Sequence, residues 1–411
     1  MSSPQTPLHQ PLKGLPGWLI VLGALTAIGP LSIDMYLPGL PSIGAELGAD
    51  GGQVQLTLAI FLVGLTLGQL VYGPLSDRFG RKPPLYAGLA IYIFASIGTT
   101  FASDIHQIQF WRLLQGLGGC AGVVIARAGV RDRCDAAATA RAFSMLTLVM
   151  GAAPILAPII GSLLLSVAGW RAVFAVLALF GIALMVSVRF GMVETVDRRQ
   201  TPPLRFGSVL RVYGELLCDR QFLLFTLSAG FGAAGMFAYI SGSPFALIEL
   251  NGLTPTQFSW AFGANAFGLI AASQLNGWLV SRVSMGRLLA VGLWIAALAA
   301  VVGVSGALLG YSGLLLLLPV FFLFLSGLGL VMPNAAAIAL AQQGKRAGSA
   351  AALMGLLQYG MGTLAGAAVS LWHDGSALPV LAVVAVCGVG AWSCYFLFAR
   401  HHLLTSSAGH A

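Results

Sequence analysis

The chain has 411 residues, of which 58% are hydrophobic and only 8% are charged, and its mean hydropathy is +0.89. A soluble domain carries about 25% charged residues, so this composition excludes the soluble class and indicates an integral membrane protein. The net charge of +8 matches the basic residues that face anionic lipid headgroups in such proteins, and it does not indicate nucleic-acid binding.

Twelve apolar runs are long enough to cross a bilayer, since a membrane helix needs about 20 apolar residues. Their approximate limits are 15–40, 54–74, 83–102, 107–127, 138–166, 169–192, 221–247, 257–281, 286–308, 313–336, 347–371 and 377–399. We therefore predict an all-α integral membrane protein with twelve transmembrane helices in two six-helix halves. The N-terminal six-helix bundle spans 15–192, a cytoplasmic linker spans 193–220, and the C-terminal six-helix bundle spans 221–400.

The basic residues predict the orientation of these spans. With the N-terminus inside, all but two of the 21 Lys and Arg residues fall in cytoplasmic segments. Arg171 falls on the outer side, and Arg112 falls within a span. The positive-inside rule therefore predicts that both termini are cytoplasmic.

Asp34 and Arg112 are the two ionisable residues that lie well inside predicted spans. A charge at the bilayer centre costs about 2.5–3.5 kcal/mol on insertion scales, and such residues usually face a cavity or a partner. Each lies roughly five residues from the periplasmic end of its span, so both are roughly 8 Å deep. Two interpretations are open: a static ion pair between two helices, or a carboxyl that exchanges a proton for a substrate.

The loop "GPLSDRFGRKP", residues 73–83, combines glycines with opposite charges. Gly73 permits close helix contact and Gly80 permits a tight turn. Asp77, Arg78 and Arg81 are the charges, and they suggest a gate that locks and releases the cytoplasmic ends of two helix bundles. The alternative is an ordinary loop that obeys the positive-inside rule.

The sequence offers little for catalysis or metal binding. The five cysteines form no CxxC pair, and the six histidines fall in predicted loops and tails. We expect no enzyme activity, no cofactor and no metal site.

The 73–83 loop and four further motifs resemble signatures of one family. The 73–83 loop is similar to the signature of the major facilitator superfamily, and "RLLQGLGG" (112–119) resembles the fourth-span motif of its drug:proton antiporters. "GAAPILAPIIG" (151–161) is similar to their fifth-span motif. "PLSIDMYLPGLP" (30–41) and "GMFAYISGSPF" (235–245) resemble the Bcr/CflA branch, the bicyclomycin- and chloramphenicol-resistance exporters. The residues that match the fifth-span motif are Gly151, Pro154, Pro158 and Gly161.

This resemblance implies the major facilitator fold and a proton-coupled antiporter of a bacterial inner membrane. It would export small amphiphilic drugs of the bicyclomycin, chloramphenicol or sulfonamide type by alternating access. By resemblance, Asp34 would couple protons and bind substrate, and Arg112 would bind substrate. Expected partners are the drug, protons and the lipid bilayer, with no nucleic acid and a monomeric chain.

The alternatives are a proton-coupled uptake symporter and a metabolite exporter, for example of cysteine, with the same fold. Further pocket residues are predicted from apolar, aromatic and amide side chains within spans. Each of them is also suited to an ordinary helix–helix contact. These candidates are Tyr36, Gln115, Met236, Tyr239, Asn265, Asn334 and Gln358.

Overall fold

The computed structural model describes residues 17–133, 136–194 and 206–408, and these ranges are helical throughout apart from short connections. In the first part of the chain the helices are α1 (Gly17–Asp34), α2 (Leu40–Leu47), α3 (Gly51–Phe79), α4 (Lys82–Thr100), α5 (Ile105–Arg133) and α6 (Ala136–Gly191). The remaining helices are α7 (Phe206–Cys218), α8 (Arg220–Pro244), α9 (Pro255–Leu279), α10 (Met285–Leu308), α11 (Leu314–Leu340), α12 (Ala347–Leu371) and α13 (Leu378–Ala408). The described residues contain no strand, so the predicted all-α class is confirmed.

The spans agree with the sequence prediction once one long helix is divided. Within the described residues, nine segments are long and apolar enough to cross a membrane. One of these, from Leu148 to Gly191, has 44 residues and is too long for a single crossing. Gly169 interrupts it with φ 73° and ψ 178°, a backbone conformation that glycine adopts readily, and so it yields two spans. Together with the more polar helices α4 and α9, twelve membrane helices result.

Side-chain caps mark the beginnings of α9 and α8. At α9, the Thr254 hydroxyl accepts a hydrogen bond from the backbone N–H of Gln257, whose side chain accepts one from the Thr254 N–H. At α8, the Asp219 carboxylate accepts a hydrogen bond from the backbone N–H of Phe222. These caps satisfy backbone donors that have no partner inside the helix.

The helices pack into two compact units. One takes the described residues through Tyr36 together with those between Gly64 and Leu204, and the other takes Leu37–Val63 together with the described residues that follow. The division at 193–220 stays a prediction. Residues 195–205 of that linker lie outside the described residues, as do Lys13, Arg198, Arg199 and Arg205 of the charge pattern, while Phe206–Cys218 forms α7.

Each unit contains the same kind of close backbone contact. In the first unit, a Cβ atom on Gly118 of α5 would lie 2.5 Å from the carbonyl oxygen of Gly88 on α4. In the second, a Cβ atom on Gly292 of α10 would lie 2.7 Å from the carbonyl oxygen of Gly327 on α11. Small residues let membrane helices approach this closely. In both halves, glycines provide such a contact between the third and the fourth span.

Candidate substrate and proton site

Arg112 is held at the carboxyl end of α1. Its side chain is completely buried, and its Nη1 atom donates a hydrogen bond of 3.0 Å to the carbonyl oxygen of Ser32. Ser32 lies in the last turn of α1, where carbonyl groups have no partner inside the helix. The helix dipole places partial negative charge at that end, so a guanidinium group is favourable there.

A chain of hydrogen bonds fixes the Arg112 side chain further. The same Nη1 donates to Oε1 of Gln115 at 2.7 Å, and the Gln115 amide nitrogen donates to the Ser96 hydroxyl at 2.8 Å. The hydroxyls of Ser32 and Tyr92 also form a hydrogen bond of 2.7 Å. The network joins α1, α4 and α5, and each of its side chains is fully buried.

Aromatic rings cover the Arg112 guanidinium. Its central carbon lies 4.3 Å from the ring centre of Tyr36 and 5.9 Å from that of Phe174. The two rings are themselves 5.8 Å apart. Cation–π contacts stabilise a desolvated cation by about 2 kcal/mol, and a flat apolar surface beside a cation is also suited to an aromatic ligand.

Asp34 is buried next to this network and does not pair with it. Only 3% of the residue is exposed, and its Oδ1 atom has no hydrogen-bond partner among the described residues. No basic side chain in those ranges forms an ion pair with it. The interpretation as a static Asp34–Arg112 ion pair is therefore wrong for this structure: Arg112 is engaged by backbone and amide oxygens instead.

The fifth-span motif lies on α6, and one of its glycines touches the residue after Asp34. A Cβ atom on Gly161 would overlap the carbonyl oxygen of Met35. Pro154 and Pro158 lie inside the helix, where each lacks the N–H of the regular hydrogen-bond ladder. Gly151 is half-buried one turn before Pro154. The motif therefore brings α6 into backbone contact with the end of α1.

The charged loop predicted as a gate forms an ion cluster at the ends of α3 and α5. Arg81 binds the carboxylate of Asp77 at 2.6 Å and that of Asp132 at 2.8 Å. Burial alone would lower the pKa of the Arg81 guanidinium, but the hydrogen bonds and charges of Asp132 and Asp77 raise it above its ordinary value. All three residues belong to the first unit, so this cluster ties helices of one unit together.

Details of this loop differ from the prediction. Asp77 and Arg78 lie in the last turn of α3 and not in the loop. Nothing lies within 4 Å of the place that a Cβ atom on Gly73 would occupy, so the close contact expected there is not made. Gly80 does adopt a positive φ, of 88°, as a tight turn requires. The carboxylate of Glu194 accepts hydrogen bonds from the backbone N–H groups of Arg81, at 2.7 Å, and Lys82, at 3.0 Å.

In the second unit, Tyr239 and Asn265 come together. The Asn265 amide donates a hydrogen bond of 2.9 Å to the Tyr239 hydroxyl, from α9 to α8. The Tyr239 ring stacks on Phe262 at 5.5 Å and tilts against Phe321 at 4.9 Å. The result is a buried side-chain hydrogen bond enclosed by aromatic rings.

The other candidates of this unit do not join that pair. The Asn334 amide donates to Oδ1 of Asn276 at 2.5 Å and to the Leu330 carbonyl at 2.8 Å, so it makes a helix–helix contact between α9 and α11. Met236 and Gln358 are half-buried, on α8 and α12. Met236 lies one turn before Tyr239 and therefore on the same face of α8.

Sequence reasoning missed several polar partners. Tyr92 and Ser96 read as ordinary span residues, and Asp132 and Glu194 read as loop charges. One signal was available for the first pair, because polar side chains four residues apart lie on one helix face.

Among the described residues, no group of three His, Cys, Asp or Glu side chains is arranged to hold a metal ion.

Comparison with known proteins reveals clear relatives. A family model described as Major Facilitator Superfamily matches residues 22–370. The chain is 34% identical to the MFS-type transporter YdgK of Bacillus subtilis (strain 168), over 93% of this chain and 95% of the relative. It is 31% identical to a bicyclomycin resistance protein homolog of Haemophilus influenzae, over 93% of this chain and 96% of the relative. It is also 31% identical to the multidrug resistance protein MdtM of Escherichia coli O157:H7, over 57% and 58%.

Solved structures share the fold at low sequence identity. A bacterial homolog of the human lysosomal transporter Spinster, in an inward-facing and occupied conformation, aligns with a TM-score of 0.74 and 16% identity over 93% of this chain and 96% of that chain. A D-xylose–proton symporter aligns with a TM-score of 0.73 and 11% identity, over 92% and 97%.

Proposed function

Since the chain belongs to the Major Facilitator Superfamily and is a multi-pass membrane transporter, we propose that it exports small amphiphilic drugs in exchange for protons. Bicyclomycin, chloramphenicol and sulfonamides are the proposed substrate types. The names of two relatives, a bicyclomycin resistance protein homolog and a multidrug resistance protein, support the substrate class. We place the protein in the bacterial inner membrane, as a monomer with both termini cytoplasmic.

The observation that carries the proton coupling is the carboxyl of Asp34. It is buried, its Oδ1 has no partner among the described residues, and the nearby cation is bound elsewhere. A buried ionised carboxylate without a partner is far more costly than a neutral carboxyl, so this residue can stay in place only by carrying a proton or by meeting a bound cation or solvent. Transport would open it to each side of the membrane in turn.

Arg112 has a different role in this proposal. Its guanidinium is oriented by Ser32 and Gln115 and stacks on Tyr36, so it offers a rigid cationic and aromatic surface to substrate. In the second unit, Tyr239 and Asn265 would contact the substrate, and Met236 would add apolar surface. Asn334 is a weaker candidate, because its amide is already bound by Asn276, and Gln358 stays a candidate.

The test uses everted membrane vesicles with an acidified interior. Adding chloramphenicol or bicyclomycin outside should discharge the pH gradient, because an antiporter takes drug in as protons leave. Asp34→Asn keeps the shape of the side chain and should abolish the discharge, while Asp374→Asn, at an exposed acid between α12 and α13, should leave it intact.

Two outcomes would contradict the proposal. Drug-induced discharge that persists in Asp34→Asn would show that another group carries the proton. A symporter would instead move protons and substrate in the same direction, so drug added outside wild-type vesicles would not discharge the gradient.

A further inference from the structure

A break in α8 lies next to the Tyr239 site. Pro244 has no N–H to donate to the Ile240 carbonyl, and the Phe245 N–H donates to the Gly242 carbonyl in a tightened turn. A five-residue π-helix follows, over Phe245–Glu249. Single π-helical turns inside membrane or soluble helices are rare and occur frequently at functional sites.

Two buried hydroxyl groups precede this break. Ser241 and Ser243 are both completely buried, and neither hydroxyl has a hydrogen-bond partner among the described residues. Serines in membrane helices usually donate to a carbonyl one turn earlier, as Ser370 does to Gly366 here. A buried hydroxyl that makes no such bond is unfavourable, so each of these positions calls for an explanation.

Helical register separates the two serines. Met236, Tyr239 and Ser243 are spaced at three and then four residues, so they lie along one face of α8. Ser241 is four residues after Phe237 and lies on another face. The Phe237 ring packs against Tyr359 of α12, at 6.0 Å between ring centres. Ser243 therefore continues the face of Tyr239, whereas Ser241 belongs to the helix contact with α12.

We propose that Ser243 is a further substrate-binding residue, whose hydroxyl donates a hydrogen bond to a carbonyl or nitro oxygen of the transported drug. This inference rests on the proposed export function. In the proposed complex, a flat apolar part of the substrate would lie against the aromatic cluster of Tyr239, Phe262 and Phe321, and its acceptor oxygen would lie one helical turn away. Chloramphenicol has an aromatic ring, a nitro group and an amide carbonyl.

The test measures equilibrium binding of radiolabelled chloramphenicol to the purified full chain in detergent. Ser243→Ala should weaken binding about 3- to 10-fold, the range for one hydrogen bond made to a ligand. Ser243→Thr keeps the hydroxyl and should bind within about twofold of wild type. Ser241→Ala is the matched control, because it removes an equally buried hydroxyl two residues away on the same helix.

Thermal unfolding separates binding from folding. Neither alanine variant should lower the unfolding midpoint without drug, since neither hydroxyl bonds to a described residue. Drug should raise that midpoint less in Ser243→Ala than in wild type.

Equal binding by Ser243→Ala and wild type, or equal weakening in Ser241→Ala, would overturn this inference and leave the export proposal standing. If the wild type binds none of chloramphenicol, bicyclomycin and a sulfonamide, the proposed substrate class is wrong, and this inference is wrong with it.

Discussion

At the scale of single residues, two opposite charges at similar depth have different surroundings. Arg112 has oxygen acceptors from Ser32 and Gln115 and an aromatic face from Tyr36. No group among the described residues donates a hydrogen bond to the Oδ1 atom of Asp34. A guanidinium is always charged in proteins, whereas a carboxyl can become neutral by taking up a proton. This chemical difference explains why the acid is the residue suited to exchange protons.

We expect Arg112→Lys to reduce drug transport although it keeps the positive charge. A lysine ammonium lacks the planar guanidinium face that lies against the Tyr36 ring, so it cannot keep that contact while it donates to Ser32 and Gln115. Leaving a buried acceptor without its donor costs about 1–3 kcal/mol, so the unfolding midpoint in detergent should fall and drug transport should drop at least about tenfold. Arg127→Lys, at an exposed position of the same helix, is the control and should behave as wild type. Wild-type transport by Arg112→Lys would show that the planar guanidinium is not needed.

At the scale of helices, the contact between α6 and the end of α1 includes one very close approach next to Asp34. Gly161 sits against the Met35 carbonyl, immediately after Asp34, with no room for a methyl group. Pro154 and Pro158 precede this contact on α6, and each removes one backbone hydrogen bond from the helix. A movement of α6 at this contact would therefore shift the backbone next to Asp34.

Gly161→Ala should push these two helices apart. Overpacking of this kind costs about 1–3 kcal/mol, so we expect a lower unfolding midpoint and reduced drug-driven proton flux. Gly29→Ala is a matched control on α1, because nothing lies within 4 Å of the new methyl group. That substitution should be neutral or slightly stabilising, as alanine favours helices by about 1 kcal/mol over glycine. Equal behaviour of the two variants would contradict the importance of the Gly161 contact.

At the scale of the whole molecule, the distribution of basic residues predicts the orientation of the chain in the membrane. The basic residues predict that α10 runs outward from the cytoplasm, with Ser284 at its inner end and Ser312 just beyond its outer end. Its 24 residues span about 36 Å, enough to cross the hydrocarbon core. Both serines are exposed, so each position suits a cysteine probe.

Labelling with a membrane-impermeant thiol reagent tests this orientation, in a chain whose five native cysteines are replaced. In intact cells, Ser312→Cys should react and Ser284→Cys should not; everted vesicles should give the reverse. Reaction of Ser284→Cys in intact cells would show that the chain has the opposite orientation. The proposed direction of proton and drug transport would then be wrong as well.

The fold was largely predictable because membrane insertion depends on simple properties of the chain. Apolar length predicted the twelve spans, while their division at the polar break stays a prediction. Asp34 and Arg112 stood out because ionisable residues are rare inside spans. The partners of these residues were not predictable, since Ser32, Tyr92 and Ser96 are common in membrane helices and acquire a role only when three helices meet.

The sequence by itself determined that this protein is a helical membrane transporter, because hydropathy, charge placement and short motifs are local properties of a chain in a bilayer. The tertiary structure decided which groups surround the buried ionisable residues. Arg112 is bound to the end of α1 and not to Asp34, and Ser243 continues the face of Tyr239 beside a break in α8. Such pairings depend on the rotation and separation of neighbouring helices, and packing sets both of these across residues far apart in the chain.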